Sequence, residues 1–560
     1  MLLGAGGPMY GPRDTRRLRR PLPGGEHALP RLHGADEERA RTGVQDDRLA
    51  RLDPSGRGDD VLGGRRWDRL PLLFADLHLS QTDEDRRPTM SDKIEISPVT
   101  RIEGHAKVSL LLDSKGRVES ARFHATAFRG FEKFCEGRMV WEMPLMTSRI
   151  CGLCPTSHHL ASVKACEDLM GVEPPPVAKK LRELMHLGGM LQDHAAHFFF
   201  LAAPDFLYPK DVSKRHVFSI LADEPELGRI ALKLRQVGQT ILERVGGRAI
   251  HSVSAIPGGM SKPLRHEERF ELLGMVDEYL EPARQAFDAG KEMALRFAAA
   301  RPDLGTIAKP MLALSDGPRL SLLGGALTLL DATGKKIAAF DGGAYTEYLD
   351  EHVEEWSYAK FPFYKPLGYP EGTYRTGPLA RLNVASETGI ASLDAELARF
   401  KELGDGAVVQ SAAYYHYARL IEMLYSIERA AELLRDDEIV SGDVRVKAER
   451  RAGEGVGVIE APRGVLIHHY VADEVGKLQK ANFIVATTNN NQAINESVGA
   501  VARSVVKGRK IEEPQLNQIE MALRCYDPCL SCSTHLLGKS PFTFEILSKD
   551  EIEDRARGEA

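Results

Sequence analysis

The chain has 560 residues, of which 43% are hydrophobic and 28% charged, so it is long enough to bury a large core as one big domain or a few smaller ones. Its formal charge of -6 gives no basic footprint of the kind that nucleic-acid-binding proteins carry. No stretch approaches the roughly 18 consecutive apolar residues of a membrane span, and seven cysteines in so long a chain indicate a reducing compartment. We therefore expect a cytoplasmic protein that neither binds nucleic acid nor spans a membrane.

The first 89 residues differ in composition from the rest. They contain sixteen arginines but no lysine, isoleucine, asparagine or cysteine, and all four types occur regularly after Met90. Lysine, isoleucine and asparagine have AT-rich codons, so their joint absence indicates GC-rich upstream DNA translated from a start site set too early, and Met90 is the preferred start. A disordered tail is the first alternative. A targeting leader is the weaker one, because prolines and glycines follow the early arginines where an apolar segment is required.

The predicted elements begin with a β-hairpin of residues 106–112 and 118–128 around a turn at 113–116. Apolar residues at helical spacing then predict three long helices: from residues 174–176 to about Ala203, from Asp223 and Pro225 to residues 246–247, and from near Ser261 toward Ala300, with Pro282 kinking or dividing the last. A second hairpin is predicted at 327–340. These elements predict an α+β, mainly helical fold with antiparallel hairpins at its periphery.

Two Cys-x-x-Cys pairs stand far apart in the sequence, Cys151 with Cys154 and Cys529 with Cys532. Each pair presents two thiolates to one metal, and four soft sulfurs together select nickel, zinc, copper(I) or iron-sulfur chemistry over magnesium or calcium. On the cysteines alone, a structural zinc site with four thiolates is the favoured interpretation. The long separation of the pairs and the histidines close behind both of them argue against it.

Six short motifs decide between these alternatives. They are residues 100–105 (TRIEGH), 128–132 (FRGFE), 149–158 (RICGLCPTSH), 460–464 (EAPRG), 485–488 (VATT) and 527–535 (DPCLSCSTH). With these motifs in this order, the chain resembles the large subunits of nickel-iron hydrogenases over nearly all of residues 90–535. The resemblance implies one catalytic domain, 90–535, with a large helical core around a buried metal site. It also implies a tail, 536–560, that a maturation endopeptidase removes after His535.

The resemblance implies a ligand for each metal. In that family the four cysteines hold nickel, and the second cysteine of each pair bridges to an iron that carries carbon monoxide and cyanide. Cys151 and Cys529 would then be terminal nickel ligands, and Cys154 and Cys532 would bridge. Three further cysteines are interpreted as buried small apolar residues without chemistry: Cys135, Cys166 and Cys525.

The resemblance also assigns the handling of protons from H2. Cys529 is the implied first acceptor, and Glu103 is the implied relay that passes the proton outward, a role for a carboxyl able to change charge in a shielded place. Arg463 is the competing candidate base. Without their motifs, Glu103 would be interpreted as a salt-bridge partner at a strand edge and Arg463 as a surface arginine in a turn.

In the family this arginine overhangs the iron, where the planar donors of Arg463 would address a cyanide nitrogen. Thr487 would do the same through its hydroxyl group. Asp205 and Asp527 are expected to orient Arg463.

Four histidines are weighed as neighbours of the metals. His158, four residues after Cys154, is favoured over His159 as a hydrogen-bond donor to a bridging thiolate. His194 and His197 are interpreted as structural residues of the core, or as groups that hydrogen-bond to a ligand, rather than as ligands themselves.

A magnesium site is implied next to the nickel-iron centre. In the family a glutamate, a main-chain carbonyl and the histidine after the last cysteine hold this ion, and hard oxygen ligands suit it. These groups are predicted to be Glu132, the carbonyl of Leu466, and His535.

Three local stretches look most like the soluble NAD-reducing class: residues 353–358 (VEEWSY), 377–383 (GPLARLN) and 453–457 (GEGVG). The chain has no G-x-G-x-x-G fingerprint after a strand, so flavin and NAD are expected on diaphorase subunits. Electrons are expected to leave through a small subunit with iron-sulfur clusters. A hydrogenase that feeds a heterodisulfide reductase or deazaflavin module remains an alternative, whereas the related quinone-reductase subunits lack the cysteine pairs.

Overall fold

The computed structural model describes residues 93–128, 130–508 and 511–534. The expectations for residues 1–89, for Met90 as the start, for His535 and for the tail at 536–560 lie outside the described residues. Within the described ranges, no helix combines the length and the apolar content needed to cross a bilayer.

Helices account for most of the regular structure. Those in the described residues are α1 (Phe131–Cys135), α2 (Met143–Thr147), α3 (Pro155–Met170), α4 (Pro176–Ala196), α5 (Ala203–Leu207), α6 (Val217–Asp223), α7 (Pro225–Gly246), α8 (His266–Ala300), α9 (Tyr345–Tyr348), α10 (Pro378–Val384), α11 (Ala391–Glu402), α12 (Tyr415–Arg435), α13 (Ala486–Asn489), α14 (Asn491–Val505), α15 (Glu513–Cys525) and α16 (Leu530–Ser533).

The strands form small antiparallel sheets. They are β1 (Lys93–Ile96), β2 (Ala106–Leu112), β3 (Val118–Ala125), β4 (Ala255–Ile256), β5 (Gly259–Met260), β6 (Met311–Asp316), β7 (Arg319–Leu320), β8 (Ala326–Leu330), β9 (Lys336–Phe340), β10 (Leu349–His352), β11 (Phe361–Tyr364), β12 (Gly453–Ala461), β13 (Gly464–Ala472) and β14 (Leu478–Ile484). Their orders are β1-β2-β3, β7-β6-β8-β9 and β12-β13-β14, with the separate pairs β4-β5 and β10-β11.

The helical core is built around α4, which packs against α7 and α12, while α12 also packs on α8. Helix α4 buries apolar side chains at spacings of three and four residues, such as Leu184, Leu187 and Leu191, and so presents a continuous apolar face. Helix α12 is buried almost all round, as expected for a helix at the centre of a large domain. The predicted α+β class, mainly helical with small antiparallel sheets, is confirmed.

The predicted helices and hairpins lie where the structure has them, but several of their first or last residues differ. Both hairpins are present, as β2-β3 and β8-β9. Helix α4 gives way after Ala196 to a π-helical turn, His197–Ala202, before α5 continues. Helix α8 begins at His266 rather than near Ser261, and Glu268 accepts a hydrogen bond from the backbone N–H of Arg265 at its start. The alternative that Pro282 divides this helix is wrong, since α8 runs without interruption to Ala300.

The sheet β12-β13-β14 was not predicted from the sequence and is central to the site. Strand β13 is buried at nearly every position, so it shows no alternation of apolar and polar residues. Helix α3 lies directly on β12, where a Cβ on Gly457 would be 2.0 Å from the carbonyl oxygen of Ala161. This close approach brings the start of α3, at Cys154, and the β12-β13 turn, at Arg463, into the same part of the core.

Candidate metal centre

Each cysteine pair lies where a loop enters a helix. Cys151 follows a short 3-10 turn, and Cys154 directly precedes α3, whose first residue is Pro155. Cys529 precedes α16, and Cys532 lies within it. Both pairs therefore place two sulfurs side by side at the start of a helix.

The two pairs meet in the core. The Sγ atoms of Cys151 and Cys529 are 3.3 Å apart, those of Cys154 and Cys532 are 3.4 Å apart, and those of Cys529 and Cys532 are 3.1 Å apart. All four sulfurs lie within 4.8 Å of one another, and all four residues are buried. The predicted convergence of the two distant pairs is confirmed.

The electrostatics of this cluster favour a bound cation. Four thiolates so close together would bury four negative charges, which is unfavourable unless a metal compensates them. Burial raises the pKa of Cys529 and of Cys532 well above the usual range, whereas hydrogen bonds, first from Cys154, lower that of Cys151. The donor set is soft, which fits nickel and iron.

Glu103 reaches the cluster from the segment before β2. Its Oε2 lies 3.0 Å from Cys529 Sγ and accepts a hydrogen bond of 3.0 Å from the backbone N–H of Ser531. The Ser531 hydroxyl donates to the other carboxylate oxygen. A Cβ on Gly104, whose φ is +83°, would meet Leu530 Cβ at 2.8 Å, so the glycine of the TRIEGH motif permits this close approach.

Arg463 lies in the two-residue turn between β12 and β13, where Ala461 pairs with Gly464. Its two terminal nitrogens donate to the two carboxylate oxygens of Asp193, each at 2.9 Å. Asp527 Oδ2 also lies 2.9 Å from the guanidinium, and Arg463 Nε donates to the Asp527 carbonyl at 2.6 Å. Burial lowers the pKa of Arg463, but the charges of Asp193 and Asp527, and then of nearby cysteines, raise it well above its usual value.

The prediction that Asp205 orients Arg463 is wrong. Asp205 instead pairs with Arg101 at 2.5 Å and with Arg524 at 2.8 Å. Asp193 takes the place that was predicted for Asp205. Other polar residues of α4, among them Arg182 and His186, are buried as well, so a carboxylate in this helix gave no distinct signal in the sequence.

A second buried residue that sequence analysis missed is Arg381, on α10 within the GPLARLN stretch. Its guanidinium bonds Glu422 and Glu460 and also donates to the carbonyls of Ala461 and Pro462, at 2.9 and 3.1 Å. These carbonyls directly precede Arg463. Arg381 therefore fixes the backbone of the turn that carries Arg463.

Thr487 and His158 both contact the second cysteine pair. Thr487, on α13, accepts a hydrogen bond of 3.0 Å from the backbone N–H of Cys529. His158 Nε2 lies 3.4 Å from Cys532 Sγ, and its Nδ1 lies 3.1 Å from His468. Burial lowers the pKa of His158 to about 4, so its imidazole is neutral. His159 points the other way, toward the carbonyl of Pro144.

The remaining polar candidates lie outside the sulfur cluster. His194 bonds Glu422 at 3.0 Å, and His197 bonds Asp527 at 2.8 Å. Three further cysteines are free and buried apart from the cluster of four: Cys135, Cys166 and Cys525.

Two of the three groups predicted to hold magnesium lie in the described part of the chain. Glu132, on α1, accepts hydrogen bonds from Lys360 Nζ at 3.0 Å and from the backbone N–H of Phe483, on β14, at 3.1 Å. Leu466 lies on the neighbouring strand β13, where it pairs with Ile459 of β12. His535 lies outside the described residues. Glu132 Oε1 is therefore paired with the ammonium group of Lys360.

Known proteins resemble the chain over most of its length. A model described as nickel-dependent hydrogenase matches residues 129–223 and 332–535, and a HoxL-like model matches residues 93–128. One component of the F420-non-reducing hydrogenase vhc of Methanococcus voltae is 41% identical over 461 residues, covering 81% of this chain and 97% of that protein. The NAD-reducing hydrogenase HoxS subunit beta of Cupriavidus necator is 37% identical over 488 residues, covering 84% and 100%.

A solved structure of a hydrogenase is also similar to this chain in sequence and in fold. The crystal structure of an NAD+-reducing NiFe hydrogenase in the H2-reduced state is 41% identical to this chain. It superposes with a TM-score of 0.77 and covers 80% of this chain and 100% of that one.

Proposed function

Because the chain belongs to the nickel-dependent hydrogenases and is a large subunit of a nickel-iron hydrogenase, we propose that its four clustered cysteines hold the metals and that its electrons pass to NAD(P). Cys151 and Cys529 are the proposed terminal nickel ligands. Cys154 and Cys532 are the proposed bridges to an iron with carbon monoxide and cyanide ligands. The convergence of four buried sulfurs within 4.8 Å is the observation that carries this proposal.

When bound, the nickel-iron centre would supply the oxidation of H2 to two protons and two electrons, or the reverse reaction. The chain's own part is to receive and move the proton. Cys529 Sγ is its first acceptor, and Glu103 Oε2, 3.0 Å away, takes it next. The two hydrogen bonds from Ser531 hold the Glu103 carboxylate against that sulfur and limit its rotation.

Arg463 is less suited to be the base. Its terminal nitrogens are engaged by the carboxylates of Asp193 and Asp527, and loss of its proton would leave both of these buried charges uncompensated. We assign Arg463 a different role, in which the one N–H of its planar guanidinium that these contacts leave free would address a cyanide nitrogen on the iron. The Thr487 oxygen accepts a hydrogen bond from the backbone N–H of Cys529. Its O–H would therefore donate to a cyanide nitrogen as well. His158 would donate to, or share a proton with, the bridging sulfur of Cys532.

Electrons must leave through another subunit. The cysteines outside the four-sulfur cluster, Cys135, Cys166 and Cys525, form no further metal-binding group among the described residues. We therefore propose a small subunit with iron-sulfur clusters, and diaphorase subunits with flavin and NAD. The 37% identity to the HoxS subunit beta and the 41% identity to the NAD+-reducing enzyme support NAD as the acceptor. The proposed location is the cytoplasm, and a maturation endopeptidase acting after His535 is a further proposed partner.

A second acceptor stays open on the similarity to the F420-non-reducing hydrogenases, whose vhc component is also 41% identical. Isolation of the native complex with its partner subunits, followed by H2-dependent reduction assays, separates the two. Reduction of NAD+ by H2 supports the proposal. If the complex reduces an artificial dye but not NAD+, and heterodisulfide reductase subunits co-purify with it, NAD would not be the acceptor. If the purified complex contains stoichiometric zinc but no nickel, and has no hydrogenase activity, the chain would instead be a structural zinc-binding subunit.

A further inference from the structure

The guanidinium of Arg381, on α10, has every one of its N–H donors engaged next to the turn of Arg463. Arg381 is fully buried. A guanidinium has five N–H donors, and each of those in Arg381 meets an oxygen at a distance between 2.6 and 3.1 Å. The acceptors are the carboxylates of Glu422 and Glu460 and the carbonyls of Ala461 and Pro462. The position of this guanidinium is therefore fixed from several directions at once.

Helix α10 also contacts the same turn through its backbone. Gly377, the residue before α10, has a φ of +93°, and a Cβ there would lie 2.8 Å from the carbonyl oxygen of Arg463. The backbone N–H of Arg381 donates to the carbonyl of Gly377 at 2.9 Å. The start of α10 therefore packs against Arg463, and the Arg381 side chain, one helical turn later, bonds the two residues that precede Arg463.

Two adjacent residues of α4 close this network. Asp193 accepts hydrogen bonds of 2.9 Å from both terminal nitrogens of Arg463. The next residue, His194, places its Nε2 3.0 Å from Glu422 Oε2, which also accepts from Arg381. Neighbouring positions of one helix therefore hold the side chain of Arg463 and, through Glu422 and Arg381, its backbone.

Each side chain that links α4 to Arg381 has a defined charge. Burial raises the pKa of Glu422, but the charge and the hydrogen bonds of Arg381 outweigh it and lower the pKa to about 2, so the group is a carboxylate. Burial lowers the pKa of His194 to about 4, so its imidazole is neutral. Because a carboxylate only accepts hydrogen bonds, the single proton of this imidazole lies on Nε2. The network therefore keeps one arrangement of donors and acceptors at neutral pH.

We propose that Arg381 is a positioning residue for the hydrogenase reaction, and that it directs the free N–H of Arg463 through the turn and through Glu422. The inference rests on the proposed function, in which this N–H addresses a cyanide nitrogen on the iron. The physical reason is that a reacting site tolerates little displacement of the groups around it. A misplacement of about 1 Å, caused by a distant substitution, costs on the order of 10²-fold in rate.

The variant Arg381→Lys, in the native complex, tests the proposal. Lysine keeps the positive charge but has three donors instead of five, so it cannot hold both carboxylates and both carbonyls as Arg381 does. We expect normal nickel content, cyanide stretching bands displaced from their wild-type positions, and hydrogen-deuterium exchange per nickel lowered by about 10²-fold. Undisplaced bands with normal nickel content would overturn the proposal. A wild type without cyanide bands would instead overturn the proposed function, and the proposal with it.

A double substitution shows whether Arg381 acts through Arg463. Arg463→Lys alone should displace the cyanide bands, because it replaces the group that addresses the cyanide. If the effect of Arg381 passes through Arg463, adding Arg381→Lys to this variant should displace the bands no further. A further displacement as large as that of Arg381→Lys alone would show an independent effect and contradict the proposal.

Glu422→Gln keeps the test decisive if Arg381→Lys does not assemble. The glutamine has nearly the same size, but its uncharged amide holds the Arg381 guanidinium less strongly than a carboxylate does. The cyanide bands should therefore be displaced in this variant too. Unchanged bands in an assembled Glu422→Gln complex would overturn the proposal.

Arg182→Lys is the matched control. Arg182 is 5% exposed and also bonds one carboxylate, that of Glu167, together with the carbonyls of Ile256 and Gly259. These three partners lie outside the six motifs. The variant should have a lower Tm, but its cyanide bands and its exchange per nickel should match the wild type. Equal displacement of the bands in both arginine variants would reveal a general loosening of the fold and contradict the proposal.

Discussion

Glu103 Oε2 lies 3.0 Å from Cys529 Sγ, although the two residues are 426 positions apart in the sequence. A parallel backbone bridge between the same two residues, and a hydrogen bond from Leu530 N to the Glu103 carbonyl, hold the two segments together. A carboxyl group in direct contact with a proposed metal-bound sulfur is well placed to receive a proton from it.

Glu103→Gln should leave nickel bound but should lower hydrogen-deuterium exchange by about 10²-fold or more, because an amide cannot take up and release the proton. The exchange rate and the nickel content are measured on the same preparation. Glu119→Gln, at an exposed position of β3, is the control and should exchange normally. Normal exchange in Glu103→Gln would remove Glu103 from the proton path.

Cys529→Ser should abolish hydrogen-deuterium exchange and reduce nickel content, since a hydroxyl is a poor ligand for a soft metal. Cys525→Ser is matched to it in burial and lies only four residues earlier, but Cys525 is outside the sulfur cluster. It should retain nickel and exchange. Equal nickel loss in both variants would indicate a general folding defect instead of a lost ligand.

Arg463→Met should destabilise the fold strongly, because it leaves Asp193 and Asp527 as uncompensated charges in the core. Removal of one partner from such a buried pair costs about 3–5 kcal/mol. Denaturant unfolding measures the change. Arg429→Met removes a partly exposed partner of Glu183 and should cost about 1 kcal/mol or less. A similar small loss in both variants would show that the buried network is not needed for stability.

Stability should depend on pH through Glu460, next to the turn that carries Arg463. Burial raises its pKa to about 7 despite the opposing charge of Arg381. The folded state therefore holds this proton more tightly than the unfolded state. The resulting stabilisation is complete below the unfolded pKa and is lost as the pH rises through about 7. Tm is measured as the pH rises through about 7. It should fall less in Glu460→Gln than in the wild type. The same decrease in both proteins would exclude Glu460 as its cause.

The motifs predicted the site better than the fold around it. Both cysteine pairs, Glu103 and Thr487 lie together as expected, because each belongs to a short motif that could be compared with a family. His158 and His159 are adjacent, and only the packing of α3 decides that His158 faces Cys532 while His159 faces Pro144.

The partners of these residues were harder to predict. Asp193 accepts a hydrogen bond from Arg463, which is 270 positions away in the sequence. Lys360 donates hydrogen bonds to oxygens of three separate segments. Such pairings depend on tertiary packing, which no local pattern encodes. The β12-β13-β14 sheet was missed for a related reason, since strand β13 is buried at almost every position and gives no alternating signal.

The central claim is that the two distant cysteine pairs hold one nickel-iron centre. Infrared spectroscopy of the purified native complex, with nickel and iron measured on the same sample, tests it most directly. We predict one nickel per copy of this chain, together with the stretching bands of carbon monoxide and cyanide bound to iron. A complex that contains zinc at the four cysteines, and shows none of these bands, would contradict the account.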